Sequence, residues 1–203
     1  MKNLPKQSTR KRNCWQKVEC RFYEKEHEYW LGDIENGEFI KKKKLLSVTQ
    51  LMRKYGVSPE YKGIDEKTLE LKAQRGTLIH KELQDWAEQG EVGFTKELGQ
   101  FMDWTKENGY KPLASEKIVF NDVVAGTIDT IGMLGDKKVI ADYKTTASYH
   151  ADAVSYQLSI YEYLLGEKCE LKCFWFNNKL KVKDVERIPE TAIEYLMNKE
   201  RKE

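Results

Sequence analysis

Residues 115–146 limit the possible folds of this chain more than any other part of the sequence. Three runs rich in β-branched residues, at 115–120, 123–134 and 137–145, are separated only by Asn121-Asp122 and Gly135-Asp136. Connections this short join neighbouring antiparallel strands, because a parallel connection needs a dozen residues or more. The segment therefore predicts a meander of three strands.

The flanking segments predict helices and further strands around this meander. Ser47-Val-Thr-Gln50 has the form of a capping box and predicts the start of a helix that ends near Gly56. Further helices are expected at about 65–89, 96–108 and 150–165, strands at 169–176 and 180–185, and a terminal helix opened by Pro189. The apolar stripe that we expect to be buried in the 65–89 helix is Leu71, Leu78, Ile79, Leu83 and Trp86.

This order of elements predicts an α/β (α+β) fold with a central mixed β-sheet flanked by helices. Residues 1–13 are polar and basic, so we expect a flexible tail. Residues 14–203 are expected to form one domain. It comprises an N-terminal hairpin or meander at 14–46 that turns at Asn36-Gly37, a core at 47–185 and a C-terminal helix at 189–203.

The charge balance does not by itself indicate a nucleic-acid partner. The 203 residues carry a formal net charge of +2, with 35 basic and 33 acidic side chains. A basic run at 41–44 fits two interpretations, a solvated strand edge or a phosphate contact. No apolar run approaches the roughly 18 residues of a membrane span, and residues 1–5 lack a signal-peptide core. We therefore expect a cytoplasmic protein that does not bind membranes.

The four cysteines agree with a reducing compartment. Cys14, Cys20, Cys169 and Cys173 do not have the spacing of a zinc ribbon or of a known cluster-binding pattern. Cys173 lies in an apolar strand-like run, where a buried free thiol is the ordinary interpretation. An iron–sulfur cluster is therefore not expected.

Two aspartates inside the apolar strands indicate a site with chemistry. Counting outward from the Gly135-Asp136 turn, Asp129 faces Asp142, with Cβ atoms about 4.5–5.5 Å apart. Lys144 shares the face of Asp142 because side chains alternate along a strand. Facing carboxylates repel one another unless a cation lies nearby, so a lysine and a divalent metal ion are both favoured here. The alternative interpretation is a surface strand with an ordinary salt bridge.

Four further residues are candidates to complete this site. His80 flanks the apolar stripe of the 65–89 helix, where a histidine is more often a boundary residue than a metal ligand. Glu116 precedes a strand and can equally be an exposed glutamate. Gln157 and Tyr161 share one face of a helix, either at an ordinary helix boundary or towards the site.

Taken together, these residues resemble the PD-(D/E)XK nuclease superfamily, in particular its branch of RecB nuclease domains and phage lambda-type exonucleases. The pattern is Gly76-x-x-x-His80, Glu116, Gly126-Thr-Ile-Asp129, Asp142-x-Lys144 and Gln157-x-x-x-Tyr161. The resemblance covers about residues 20–176 and implies a restriction-endonuclease-like core. The third motif has Asp142 where many members have Glu, as is normal for the RecB branch, and the cysteines do not match the cluster-bearing relatives.

The resemblance implies a Mg²⁺- or Mn²⁺-dependent deoxyribonuclease, more readily an exonuclease than an endonuclease, that leaves 5′-phosphates in phage or bacterial DNA recombination, repair or processing. The implied metal ligands are His80, Glu116, Asp129, Asp142 and the backbone carbonyl of Tyr143. Lys144 would orient or deprotonate water, or stabilise the transition state, and Gln157 and Tyr161 would steady it. DNA is the implied partner, with a single-strand annealing protein by analogy, and the oligomeric state stays open. A non-catalytic DNA-binding or inhibitor protein and an RNA-directed nuclease are the alternatives.

Overall fold

The computed structural model describes residues 6–12, 16–59, 63 and 65–202. Within them the strands are β1 (Lys6–Arg12), β2 (Gln16–Tyr23), β3 (Glu28–Glu35), β4 (Glu38–Ser47), β5 (Tyr110–Phe120), β6 (Val124–Leu134), β7 (Lys137–Lys144), β8 (Glu170–Asn177) and β9 (Lys179–Asp184). The helices are α1 (Val48–Lys54), α2 (Glu66–Gln89), α3 (Lys96–Asn108), α4 (Ala151–Leu165) and α5 (Glu190–Glu200).

The strands form a mixed sheet in the order β1-β2-β3-β4-β6-β7-β8-β9, with β5 paired to β6 outside this path. The pairs β4–β6 and β7–β8 are parallel and the others are antiparallel. The α/β fold with a central mixed sheet flanked by helices is thus confirmed.

Helices cover the two faces of the central sheet. One core cluster lies beneath α1, α4 and α5, and its fully buried side chains include Leu51, Leu158 and Ile193. A second cluster, which includes Leu83 and Phe101, lies between the other face of the sheet and helices α2 and α3. None of the helices in the described part of the chain is long and apolar enough to cross a membrane.

The N-terminal strands pack on the central sheet through a third core cluster. Tyr29, Leu31 and Leu45 from β3 and β4 contact Ile118 and Ala125 of β5 and β6. The cluster also contains the buried thiol of Cys20, whereas Cys169 and Cys173 are buried beneath α4; Cys14 lies outside the described residues.

The ends of the helices follow the capping signals of the sequence. Ser47 Oγ accepts from Gln50 N at 3.0 Å, and Gln50 Oε1 accepts from Ser47 N at 2.9 Å, which confirms the predicted capping box. Gly90, Gly109 and Gly166 end α2, α3 and α4 in the left-handed conformation that glycine adopts at low cost.

Two expectations about secondary structure and burial are wrong. Residues 6–12, expected to be part of a flexible tail, form β1 and pair with β2 from Lys6↔Phe22 to Arg12↔Gln16. In α2, Leu71 and Leu78 are exposed, and the buried stripe contains Ile79 and Leu83. Each helical residue turns by roughly 100°, so Leu71 and Leu78, seven residues apart, share a face about 100° away from Ile79.

Candidate active site

The candidate site lies where β6 and β7 separate. Their pairing runs from Leu134↔Lys137 to Thr130↔Ala141, which is the register predicted from the two-residue turn, and then stops. Asp129 and Asp142 come next on the two strands. Instead of continuing the ladder, the backbone N–H of Tyr143 donates to Asp129 Oδ2 at 2.7 Å. The end of the ladder thus leaves both carboxylates in a gap between the strands, with α2 on one side and α4 on the other.

The strand alternation predicts that Asp129 and Asp142 share one face of the sheet, but their side chains point to different helices. Asp129 contacts His80 of α2, whereas Asp142 contacts Gln157 of α4. The alternation is broken at residue 129, because Ile128 and Ile131 both lie in the core beneath α4 although they are three residues apart. The break turns the Asp129 side chain towards α2.

Three of the predicted ligands come together beside this break. A ligand atom from each of His80, Glu116 and Asp129 lies within 4.8 Å of the other two, a spacing compatible with one metal ion. His80 Nδ1 is 3.7 Å from Asp129 Oδ2. His80 Nε2 is 3.0 Å from the carbonyl oxygen of Tyr143, and a carbonyl can only accept, so Nε2 carries the proton. In a neutral imidazole the unprotonated Nδ1 then faces Asp129, and this is the arrangement that a histidine ligand needs.

Glu116 is placed by an unusual backbone conformation. Its φ is +51° in the middle of β5, between the pairs Ser115↔Thr130 and Lys117↔Ile128. For a residue other than glycine this left-handed conformation costs about 1–2 kcal/mol. Glu116 is half-buried, which differs from the alternative of an ordinary exposed glutamate at the start of a strand. Such local strain is often concentrated at functional sites.

Asp142 belongs to a separate network centred on Gln157. Gln157 Nε2 donates to Asp142 Oδ1 at 2.8 Å and lies 3.2 Å from the hydroxyl oxygen of Tyr161. Gln157 Oε1 accepts from Lys144 Nζ at 3.1 Å, and the same ammonium is 2.7 Å from Asp142 Oδ2. Asp142 is only 2% exposed, so these contacts compensate a buried charge. The predicted Asp142, Lys144, Gln157 and Tyr161 are thus in contact with one another, while Asp142 is outside the group of three potential ligands.

Burial and neighbouring charges shift the pKa values of Asp129 and Lys144. Burial raises the pKa of Asp129 to about 7; the charges of Asp142 and Glu116 add to this effect, and the charge of Lys144 opposes it, as would a protonated His80. For Lys144, burial lowers the pKa, but the carboxylates of Asp142 and Asp129 outweigh it, so the pKa is raised overall. An acidic group that resists ionisation among other carboxylates is typical of a site that binds a cation.

Side chains from three elements hold the part of β6 that precedes Asp129. The hydroxyl groups of Tyr29 and Thr127 are 2.8 Å apart and share a hydrogen bond. A Cβ atom at Gly126 would lie 2.5 Å from Cε1 of Tyr161 and 2.9 Å from Cγ2 of Val48, so only glycine permits this approach. The aromatic ring of Tyr161 therefore also positions the strand that carries Asp129.

A groove of about 870 Å³ leads to the site. The β2–β3 turn, α2 and the segment after β7 line it, and the site residues His80 and Glu116 lie on its surface. All three histidines of the chain line this groove, His27, His80 and His150. Four of the lining residues were not predicted as site residues: Phe22, His27, Thr145 and His150. Since these residues come from separate elements, only the scarcity of histidine could have indicated a common location.

The basic run at 41–44 contacts groups of the protein itself. Lys42 Nζ is 2.6 Å from Glu35, Lys44 Nζ is 2.5 Å from Glu28, and Lys43 Nζ donates to the carbonyl of Asp122 at 2.7 Å. Lys41 Nζ lies 3.7 Å from the centroid of the Tyr23 ring. These contacts favour the interpretation of the run as a charged strand margin over that of a phosphate contact.

The comparisons with known proteins give distant similarities only. No family model and no curated protein matches the chain. Among solved structures, the chain is similar to SSO0001, with a TM-score of 0.48, 17% identity and coverage of 80% of this chain and 77% of the other. It is also similar to an alkaline exonuclease, LHK-Exo from Laribacter hongkongensis, with a TM-score of 0.38, 11% identity and coverage of 78% and 88%. A phage-related exonuclease from Haemophilus somnus 129PT gives a TM-score of 0.34 and 12% identity, with coverage of 77% and 88%. With TM-scores below 0.5, these similarities define neither a family nor an activity for this chain.

Proposed function

We propose that the protein is a deoxyribonuclease that depends on a divalent metal ion. The observation that carries the proposal is that two sets of polar side chains lie on the two sides of one gap in the sheet. His80, Glu116 and Asp129 converge on one side of the gap between β6 and β7. Asp142, Lys144 and Gln157 are connected on the other side. The resemblance of this residue pattern to PD-(D/E)XK nucleases supports the same assignment.

The donor set fits Mg²⁺ or Mn²⁺. Glu116 and Asp129 offer the carboxylate oxygens that both ions prefer, and the imidazole nitrogen of His80 is better suited to Mn²⁺. A divalent cation would also relieve the repulsion that contributes to the raised pKa of Asp129. We propose that His80, Glu116 and Asp129 hold the ion and that Asp142 completes its surroundings, while the carbonyl of Tyr143, which the resemblance gave as a further ligand, orients His80 by accepting from its Nε2. When bound, the ion would supply an activated water and neutralise charge on a phosphate.

The remaining residues would act on the reacting water and phosphate. The ammonium of Lys144 lies beside Asp142 and is half-buried, where it can orient the water or stabilise the negative charge of the transition state. Gln157 holds Lys144 through its carbonyl oxygen and Asp142 through its amide nitrogen, so it fixes their relative positions. Tyr161 supports Gln157 and β6 together.

The finer features of the function rest on the resemblance to the superfamily. We propose an exonuclease that leaves 5′-phosphates, acts in phage or bacterial DNA recombination, repair or processing, and functions in the cytoplasm. A single-strand annealing protein is the proposed partner.

A digestion assay tests the proposal directly. Purified protein is incubated with end-labelled linear DNA and with circular DNA, in Mg²⁺, in Mn²⁺ and in EDTA. We expect metal-dependent loss of linear DNA, and preferential loss of linear over circular DNA identifies an exonuclease. Intact DNA under every metal condition would instead favour the non-catalytic DNA-binding alternative.

The Lys144→Ala variant tests whether the Lys144 ammonium is required for DNA cleavage. We expect cleavage to fall by about a hundredfold or more, because both the electrostatic and the proton-transfer roles of a lysine have effects of that size. Lys138→Ala is the matched control, since Lys138 lies on the same strand and is paired with Glu167 at 2.6 Å, away from the site. Removing Lys144 leaves the buried Asp142 without its cation, so Lys144→Arg, which keeps the charge, is measured beside it together with thermal unfolding. Full activity of a folded Lys144→Ala protein would refute the assignment.

A further inference from the structure

One wall of the groove is an aromatic surface from the N-terminal sheet. Phe22 is half-buried at the end of β2, and His27 is exposed in the turn that follows. The centroids of their rings are 6.1 Å apart. His27 adopts φ +51°, a left-handed conformation in which histidine is tolerated more often than most residues. The backbone of the turn is closed by a hydrogen bond from His27 N to Glu24 O, and it places His27 in the lining of the groove.

This aromatic wall is connected to the strand that carries the candidate catalytic carboxylate. Phe22 packs on Tyr29 with ring centroids 4.6 Å apart and planes inclined by 32°. Tyr29 in turn shares a hydrogen bond with Thr127, two residues before Asp129. The wall is thus connected to the site through the buried side chain of Tyr29.

The α2 side of the groove carries polar and basic side chains beside apolar ones such as Leu69 and Ala73. α2 contributes Lys72, Lys81 and Gln84 to it, together with His80. The segment after β7 adds the hydroxyl groups of Thr145, Thr146 and Ser148. An aromatic wall facing ammonium and hydroxyl donors matches the two faces of a single nucleic-acid strand, in which bases stack on rings and phosphates accept hydrogen bonds.

We propose that Phe22 and His27 form a subsite for an unpaired nucleobase, so that the groove takes a single DNA strand beside the cleaved phosphate. The inference rests on the proposed nuclease function and deepens it. The size of the groove is compatible with it, because about 870 Å³ lies in the range of pockets that enclose a small molecule. Among the described residues that line the groove, the acidic ones are Glu24, in the β2–β3 turn, and Glu116, of the candidate metal site.

An abasic scan tests the stacking contact. In the Asp129→Asn background, which prevents cleavage under the proposed function, affinity is measured by fluorescence anisotropy for a short single-stranded oligonucleotide. A series of oligonucleotides replaces each base in turn with an abasic site. Because base–aromatic stacking is strong, we expect the affinity to fall about fivefold or more at one or two positions. At those positions the loss should shrink towards zero in His27→Ala and Phe22→Leu, since the variants have already lost the stacking surface.

The variants are chosen to separate stacking from stability. His27 is exposed, so His27→Ala leaves the core unchanged. Phe22→Leu keeps an apolar side chain against Tyr29 but removes the aromatic ring. Phe39→Ala is the matched control, because Phe39 lies in the same sheet under Arg21 and does not line the groove. In this variant an abasic site should reduce the affinity as much as it does without the substitution.

The outcomes distinguish this inference from the proposed function. If the wild-type protein cleaves DNA but the abasic losses are unchanged in both His27→Ala and Phe22→Leu, the subsite is refuted and the nuclease stands. A blunt duplex that binds as tightly as the single strand also overturns the subsite. If the wild-type protein neither binds nor cleaves DNA with any metal, both proposals fail.

Discussion

Asp129→Asn is expected to stabilise the metal-free protein while it removes the activity. Burial raises the pKa of Asp129 from 3.8 to about 7. Because the folded state holds this proton more tightly than the unfolded state, stability falls as the pH rises from about 4 to about 7, and the full cost remains above pH 7. A pKa difference of about 3 between the folded and unfolded states corresponds to an upper bound of about 4 kcal/mol on the loss of folding free energy at high pH. The Asn side chain does not ionise and therefore avoids this loss. Asn can still accept the hydrogen bond from Tyr143 N through its side-chain oxygen.

Thermal unfolding in EDTA measures this effect. At pH 8 the variant should unfold at a higher temperature than the wild type, by about 2–4 °C for each kcal/mol. The difference in unfolding free energy should grow by up to about 3 kcal/mol between pH 5 and pH 8, because up to about pH 7 the folded carboxyl holds a proton that the unfolded chain has lost. Asp136→Asn, in the exposed β6–β7 turn, is the matched control for the same substitution at a site without burial. Added Mg²⁺ or Mn²⁺ should stabilise the wild type more than Asp129→Asn, because binding to the folded state alone raises stability.

Two results would refute the reasoning. A lower unfolding temperature for Asp129→Asn in EDTA at pH 8 would mean that the carboxylate contributes favourable contacts that outweigh its burial. An equal difference at pH 5 and pH 8 would mean that the titration of Asp129 is not responsible. Persistent metal-dependent cleavage by the folded variant would refute the catalytic role independently of stability.

Gly126→Ala should lower stability by about 1–3 kcal/mol in denaturant unfolding and reduce cleavage, because the added Cβ lies 2.5 Å from the ring of Tyr161. Gly99→Ala, whose Cβ meets nothing within 4 Å in α3, should instead be neutral or stabilising, and a loss of stability there equal to that of Gly126→Ala would contradict the steric argument. Gln157→Leu preserves approximate volume but leaves Asp142 Oδ1 without its amide donor, so we expect a loss of about 1–3 kcal/mol in unfolding free energy and a lower kcat. An unchanged kcat in folded Gln157→Leu would exclude its positioning role.

The centre of the sheet was predictable because its turn is short. With only Gly135 and Asp136 between the strands, the register of β6 and β7 has one solution, and the structure confirms it from Leu134↔Lys137 onwards. The point at which pairing stops was not predictable from the turn. Residues 139–144 pair with β8 on the opposite edge of β7, so the part of β7 that has left β6 is held in the sheet by a strand that lies far along the sequence.

The orientation of individual side chains depended on features that periodicity does not contain. The left-handed backbone of Glu116 and the broken alternation at residue 129 direct these side chains towards α2. Both features arise where an antiparallel ladder is interrupted, and no residue type in the sequence marks the interruption. β1 was missed for a related reason: its sequence, KQSTRKR, has no apolar positions and therefore no strand period to detect.

The position of Asp129 depends on packing because backbone pairing is missing on one side. β6 pairs with β4 only at Val124 and Ala125, and with β7 only from Thr130 onwards. Between these points the strand has β5 as a partner on its other edge, so side chains must fix its position towards the site. Tyr29, Val48 and Tyr161 do so from the N-terminal sheet, α1 and α4. The N-terminal sheet is therefore part of the support of the site, which explains why the aromatic wall of the groove and the candidate metal ligands belong to one continuous set of contacts.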